Sequence, residues 1–407
     1  MSLQKRNFII IWISNLLVAG TMTMIMPFLS LYIETLGHFS EGYVQKWSGL
    51  IFGATFISAF IMSPIWGRIA DKYGYKPILI INAIGLAISI LMMGYVENVW
   101  QFFFLRLAMG VVTGFIPTSL AFVSTQTEKK EAGKTLGTLQ MGSVSGSLFG
   151  PIVGGLLADA FGFQYTFFIT STSVLLAGII IFFGVKEVRA AVSKKARQIY
   201  SRRQVLGGIF KHRLLISVML ITSLIQIGNF SIQPLLSLYV ADLTHDVTQV
   251  TFLAGLTFSA AGLGNILFAR FWGRLGDHIG YEKVLFILLG LAVIFMIPQA
   301  WVTALWQLIL LRLVYGTVLG GLIPITTALI RREAPVTVQG EVMGYNTSFR
   351  FFGNIIGPLI GGFVSGIFSI SAVFYVTAAL FFIAWIILYV VDKKPLQDLD
   401  DIIKGKS

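Results

Sequence analysis

The chain has 407 residues, of which 56% are hydrophobic and 12% charged, with a formal net charge of +12 and no cysteine. That charged fraction is half the roughly 25% of soluble domains, which excludes an ordinary soluble protein. The lack of cysteine excludes disulfides, thiolate metal sites and cysteine nucleophiles.

Twelve apolar runs follow one another at about 8–34, 47–66, 77–95, 99–122, 136–160, 163–185, 214–241, 250–272, 283–301, 305–330, 342–364 and 370–391. Most are close to the roughly 20 residues that cross a bilayer as a helix. Helices are the expected form, because a lone strand in lipid leaves its backbone polar groups unpaired. The fold class is therefore an all-α membrane protein with twelve transmembrane helices. The runs predict a six-helix bundle over 1–185, a basic linker over 186–213, a second six-helix bundle over 214–391 and a tail over 392–407. The first run lacks a small-residue cleavage site and continues into Pro27, so no cleavable signal peptide is expected.

Lysine and arginine set the orientation. With the N-terminus inside, 30 basic residues fall on the inner side except Lys46, which lies outside, and Arg106, Arg312 and Arg350, which lie within spans. Such asymmetry places both termini in the cytoplasm of a multi-pass cell-membrane protein. The positive charge is thus topogenic, and no nucleic-acid partner is expected. The basic linker suits either a solvated connection or contact with anionic membrane lipids.

The chain also repeats itself at half its length. Trp66, Gly67, Arg68, Asp71, Gly74 and Tyr75 return as Trp272, Gly273, Arg274, Asp277, Gly280 and Tyr281. Arg106 and Gly110 return as Arg312 and Gly316, Pro27 as Pro234, and Gly150-Pro151 as Gly357-Pro358. Two homologous halves in a membrane chain point to a transporter with its site between them.

Candidate functional residues follow along the spans. Span 1 offers Asn15, Met22 and Met26, and ends near Glu34. The loop after span 2 holds Gly67, Asp71, Gly74 and Lys76, duplicated at Gly273, Asp277 and Gly280. Its glycines allow a tight turn and close helix approach. Its aspartate suits a neighbouring helix N-terminus or an arginine, so the loop reads as a conformational latch. Arg106 lies inside span 4, where an arginine needs a partner or water. Phe115 follows in the same span, and Gln140 begins span 5. Gly146, Gly150, Pro151, Gly154 and Gly155 in span 5 predict close backbone packing at a bent pivot. Span 7 carries a polar stripe of Thr222, Gln226, Asn229 and Gln233, and span 11 carries Asn346, Arg350 and Asn354. A few polar groups among methionines and aromatics suit amphipathic ligands, and equally suit hydrogen bonds between helices. Arg350 would disfavour cationic ligands or call for a carboxylate partner. No carboxylate lies at mid-membrane. Glu34 and Asp159, at span ends, are the candidates for proton carriage, because partial burial raises a carboxylate pKa towards neutrality. A protonation-dependent pairing of Glu34 with Arg106 is one expected route.

The loop at Gly67 resembles the signature of the major facilitator superfamily, Gly-x-Leu-Ala-Asp-x-x-Gly-Arg-Lys, with Ile69 for leucine and Tyr75 in the arginine place. The run Gly150-Pro151-Ile152-Val153-Gly154-Gly155 resembles the antiporter motif of its drug:proton antiporters, and span 11 repeats it. Arg106 resembles the span-4 arginine that this family links to proton coupling. The resemblance implies two six-helix bundles related by a pseudo-two-fold axis, with spans 1, 4, 7 and 10 innermost. It implies a monomeric bacterial-type multidrug exporter that exchanges protons for small amphipathic compounds. The alternative on the same fold is an exporter or uniporter of one metabolite, sugar or lipid precursor. An intramembrane enzyme or receptor fits less well. The four histidines are scattered, and Gly316-x-x-x-Gly320-Gly321 lacks the Lys-Ser/Thr pair of a phosphate loop, so neither metal nor cofactor is expected.

Overall fold

A computed structural model describes residues 3–127, 132–187, 202–244, 249–335 and 338–392. Among these residues there is no strand. The helices begin with α1 (Leu3–Met24), α2 (Leu29–Thr35), α3 (Glu41–Tyr73), α4 (Tyr75–Met93), α5 (Val99–Val111) and α6 (Phe115–Gln126). They continue with α7 (Ala132–Phe161), α8 (Phe163–Gly184), α9 (Arg202–Lys211), α10 (Arg213–Ile232) and α11 (Leu236–Leu243). The last are α12 (Val250–Ile279), α13 (Tyr281–Met296), α14 (Leu305–Glu333), α15 (Gln339–Ile367) and α16 (Ile370–Asp392). Twelve segments among the described residues are long and apolar enough to cross a membrane.

Three expected spans are broken into separate helices, and a fourth, span 9, ends in a 3₁₀ turn at Ile297–Trp301. Span 1 stops at Met24, turns through 25–28 and resumes as α2. Pro27, which has no N–H and crowds the carbonyl four residues back, lies in that turn. Its repeat Pro234 sits in a 3₁₀ turn, Gln233–Leu235, between α10 and α11. Span 4 breaks at 112–114 and restarts as α6, where Pro117 occupies the first turn and gives up a donor that would be unpaired anyway. Elsewhere Pro64, Pro151, Pro324 and Pro358 lie inside continuous helices.

The chain divides into two compact units. One comprises Met1–Ala191 with Pro234–Ser259, and the other Val192–Gln233 with Ala260–Ser407. The stretch from Pro234 to Ser259, expected with the C-terminal bundle, therefore clusters with the N-terminal helices. Of the expected linker, 188–201 lies outside the described residues, while Arg202–Lys211 forms α9. The expected tail lies outside them from 393 onward.

Within the first unit an aromatic cluster holds α2 in place. Tyr32 packs against Phe102 at 5.4 Å and Phe167 at 5.1 Å, and its hydroxyl donates to the Met93 carbonyl at 3.0 Å. The buried Phe28 joins them, 5.3 Å from Phe167. In the second unit Tyr315 meets Phe381 at 6.2 Å, and the hydroxyls of Ser231 and Thr377 pair at 2.9 Å. Large apolar side chains such as Ile61, Ile88, Phe168, Phe183, Phe271, Phe352 and Ile386 remain exposed. A soluble protein would not tolerate so much exposed apolar surface, whereas lipid is its natural contact.

Candidate functional site

Span 5 is built on bare backbone. Gly142, Gly146, Gly150 and Gly154 recur every fourth residue along α7, and each faces α1. A Cβ at Gly142 would lie 2.9 Å from the Trp12 carbonyl oxygen, one at Gly146 2.7 Å from the Gly20 nitrogen, and one at Gly154 2.6 Å from the Met24 carbonyl carbon. Gly150 lies against Gly20 and Thr23. The partner residues Trp12, Leu16, Gly20 and Met24 keep the same four-residue period, so the two helices mesh at four successive levels. The second unit repeats the arrangement. Gly353, Gly357 and Gly361 of α15 lie against Ser223, Ile227 and Ser231 of α10, and a Cβ at Gly357 would stand 2.6 Å from the Ile227 oxygen. With lipid on the outside there is little hydrophobic drive between helices, so close van der Waals contact and Cα–H···O contacts hold them.

The other face of α7 meets the first turns of α12. A Cβ at Gly155 would be 2.7 Å from Phe252 Cα, and one at Gly255 2.8 Å from the Pro151 carbonyl carbon. Ser259 Oγ donates to the Leu148 carbonyl at 2.6 Å. The two carboxylate oxygens of Asp159 accept the backbone N–H groups of Thr251 at 3.2 Å and Phe252 at 2.7 Å. Those N–H groups open α12 and have no partner within the helix. Asp159, an expected proton carrier, is thus engaged as a cap supplied by another helix, favoured by the positive helix end.

The latch loops show their repeat in detail. Gly74 and Gly280 take φ of 101° and 97°, a backbone that L side chains rarely adopt. Tyr75 donates its hydroxyl to Asp71 at 2.8 Å, and Tyr281 donates to Asp277 at 2.6 Å. Asp71 therefore binds its own loop, neither a helix N-terminus nor an arginine as expected. The N-terminus of α4 is capped instead by Glu187, which accepts from Tyr75 N at 2.9 Å and Lys76 N at 3.0 Å. Nothing in the reading of the sequence marked Glu187. Close approach was expected at Gly67 and Gly273, yet a Cβ at either would find no atom within 4 Å. Both sit in helix interiors with open space beside them. Trp66 Nε1 donates to the Val111 carbonyl at 2.5 Å, and its repeat Trp272 donates to Thr317 at 2.7 Å. Asp71, Tyr75, Trp66 and Gly114 border a cavity of about 120 Å³. Behind Gly114 stands Asn82, fully buried with neither amide atom hydrogen-bonded.

Arg106 is 6% exposed and rests on α3. Its Nε makes a long 3.5 Å bond to the Ile51 carbonyl, and its guanidinium lies 5.7 Å from the Phe52 ring centre. Among the described residues the only ion pairs join Arg332 to Glu282 and Glu333, so the expected Glu34–Arg106 pair is not formed here. The reason is geometric: Arg106 donates through Nε to α3 and through Nη1 to Met109 Sδ of its own helix, while Glu34 sits on α2 beyond the break.

The expected ligand residues fall in both units. In the first, Asn15 is buried and accepts from Ser119 at 2.7 Å, tying α1 to α6. Phe115 is buried at the start of α6, Met22 and Met26 are half-buried, and Gln140 is exposed. In the second, Gln226 donates to Asn354 at 3.0 Å, joining α10 to α15. Asn229, Gln233 and Arg350 are half-buried, and Asn346 is buried with its amide oxygen unpaired. Asn15, Ser119, Gln226 and Asn354 thus serve as links between helices. Ser119 was not among the expected residues; one hydroxyl in an apolar run carries no sequence signal of its partner.

The family description "Major Facilitator Superfamily" matches residues 11–254 and 218–405. The chain belongs to the major facilitator superfamily. It is a multi-pass membrane transporter, not an enzyme. It is 56% identical over 382 residues to an uncharacterized MFS-type transporter, YuxJ, of Bacillus subtilis, covering 94% of this chain and 97% of that one. It is 40% identical over 376 residues to the multidrug resistance protein MdtG of Salmonella typhimurium, covering 92% and 93%. Among solved structures, a bacterial homologue of the human lysosomal transporter Spinster superposes with a TM-score of 0.77 at 14% identity, over 98% of each chain. The nucleoside transporter NupG gives 0.76 at 16%, over 97% of this chain and all of that one. These superpositions establish that the superfamily fold spans the whole chain.

Proposed function

We propose that this protein exports small amphipathic compounds across the plasma membrane in exchange for protons, by alternating access, with both termini cytoplasmic. The observation that carries the reading is the glycine ladder of α7. It supplies the bare helix face that the antiporter motif calls for, and α15 repeats it. The 40% identity to a multidrug resistance protein over nearly the whole chain supports efflux of varied compounds. In this reading the glycine faces let each of the bundles 1–185 and 214–391 move as a tightly packed body, the Asp71 and Asp277 loops act as latches, and amphipathic substrates, protons and membrane lipids are the partners. Arg106, Glu34 and Asp159 are the residues through which protons act. The test uses inverted membrane vesicles with an imposed pH gradient and a panel of unrelated dyes and fluoroquinolone-like compounds. Uptake of several scaffolds, abolished by a protonophore, is expected. Uptake of one compound class only, or uptake indifferent to the gradient, would overturn the proposal.

A further inference from the structure

The spans of the second unit contain charge of one sign only. Their described carboxylates, Asp277, Glu282, Glu333, Glu341 and Asp392, all lie at helix ends. Inside the helices stand Arg312 and Arg350. Arg312 is 3% exposed, its Nε is unpaired, and its guanidinium lies 5.9 Å from the centre of the Tyr315 ring.

Arg350 is placed differently. It is the twelfth residue of the 29-residue helix α15, about 16 Å along it at 1.5 Å per residue, and so near mid-membrane. It is half-buried and has no carboxylate within ion-pair distance. The helix period fixes its face. Asn354, one turn on, bonds to Gln226 of α10, and Gly353 and Gly357 lie against the α10 backbone. Asn346, one turn back, is buried. Phe352, about 200° around the helix, is exposed, as is Phe363 three turns further on the same side. Arg350 therefore stands on the side of α15 that carries its buried polar residues, not on its lipid-exposed side.

A cation so placed needs an anion or water, and the described protein provides no anion. The guanidinium is always charged, and its planar fork of donors matches a carboxylate in a bidentate pair. We infer that Arg350 receives the acidic group of the substrate, and that the transported compounds are amphipathic anions, carboxylates above all, rather than the cations that many exporters take. The amide of Asn346, unpaired at its oxygen, and the polar stripe of α10 line the polar side of that position, and Phe349 and Phe351 flank it in sequence. This inference rests on the export reading and names its substrate class.

The test uses three ligands with one apolar body and different heads: pyrenebutyrate, the pyrenebutyl trimethylammonium ion and pyrenebutanol. Binding to the purified full-length protein is followed by pyrene fluorescence, in micelles free of anionic lipid. The wild type should bind the carboxylate on the order of tenfold or more tightly than the ammonium ion, the span of one charge-assisted hydrogen bond. Arg350→Gln should bring carboxylate affinity down to that of the alcohol, and Arg350→Lys should restore part of the difference. Alcohol binding by each variant reports that it is folded. Equal affinity of the wild type for all three heads, or an unchanged head-group preference in Arg350→Gln, overturns the inference. Displacement of pyrenebutyrate by phosphatidylglycerol would assign the position to a lipid headgroup and overturn it too. Vesicle transport separates the two readings. Export of all three ligands irrespective of charge keeps the exporter and removes the anion preference. Anion binding without any export removes the exporter and keeps the anion site.

Discussion

Replacement of Gly146 by alanine tests the ladder between α7 and α1 most directly. The added Cβ would stand 2.7 Å from the Gly20 nitrogen and nearer still to the Leu16 carbonyl oxygen. Both are backbone atoms, so no side chain can swing away. An ordinary contact from carbon to carbonyl oxygen is about 3.3–3.6 Å, so α1 must retreat by roughly 1 Å. That retreat also loosens the contacts at Gly142, Gly150 and Gly154, because both helices keep the same four-residue period. Such overpacking costs about 1–3 kcal/mol. Alanine is the better helix former by about 1 kcal/mol, which offsets part of this. Gly137 is the internal control. It lies in the same helix, yet a Cβ there meets no atom within 4 Å. Gly137→Ala should keep the helix gain without the clash, so the two variants should differ by about 1–3 kcal/mol. For a chain of this size that is a gap of about 1–4 °C in midpoint. The assay is heating of the detergent-solubilised protein followed by fluorescence-detected size exclusion. Gradient-driven uptake into vesicles should fall in Gly146→Ala and not in Gly137→Ala. Equal midpoints and equal transport would refute the tight-packing argument.

Asp159→Ala should remove a helix cap worth about 1 kcal/mol and lower the thermal midpoint, with Asp159→Asn retaining part of it; identical midpoints in all three proteins would show that the bonds to Thr251 and Phe252 carry nothing. Asp71→Asn should slow transport strongly at normal expression, and normal turnover would remove the latch aspartate from the mechanism. Glu34→Gln should uncouple export from the pH gradient, and gradient-driven export at the normal rate would free Glu34 of that role.

The twelve spans, the duplication, the family and the glycine faces were legible before any coordinates. Each depends on patterns along one chain: the length of an apolar run, a period of four residues, a segment repeated after half the sequence. Lipid demands internally bonded helices, so length and polarity suffice to place them. The helix breaks at 25–28 and 112–114 were only half legible. Pro27 was visible as a feature of span 1, but whether proline bends a helix or stops it depends on its neighbours, and Pro151 and Pro358 lie within unbroken helices.

The partners of the charged and polar groups were decided by the tertiary structure alone. Asp159 meets α12 across 92 residues of sequence and Glu187 meets α4 across 112. Which of several carboxylates finds an open helix end follows from how the helices pack, and no local spacing encodes it. The same holds for Arg106, whose burial was foreseen while its contacts with Ile51 and Phe52 in place of Glu34 were not. Composition determines that a charge inside a membrane protein must be satisfied; only the packed fold decides by what.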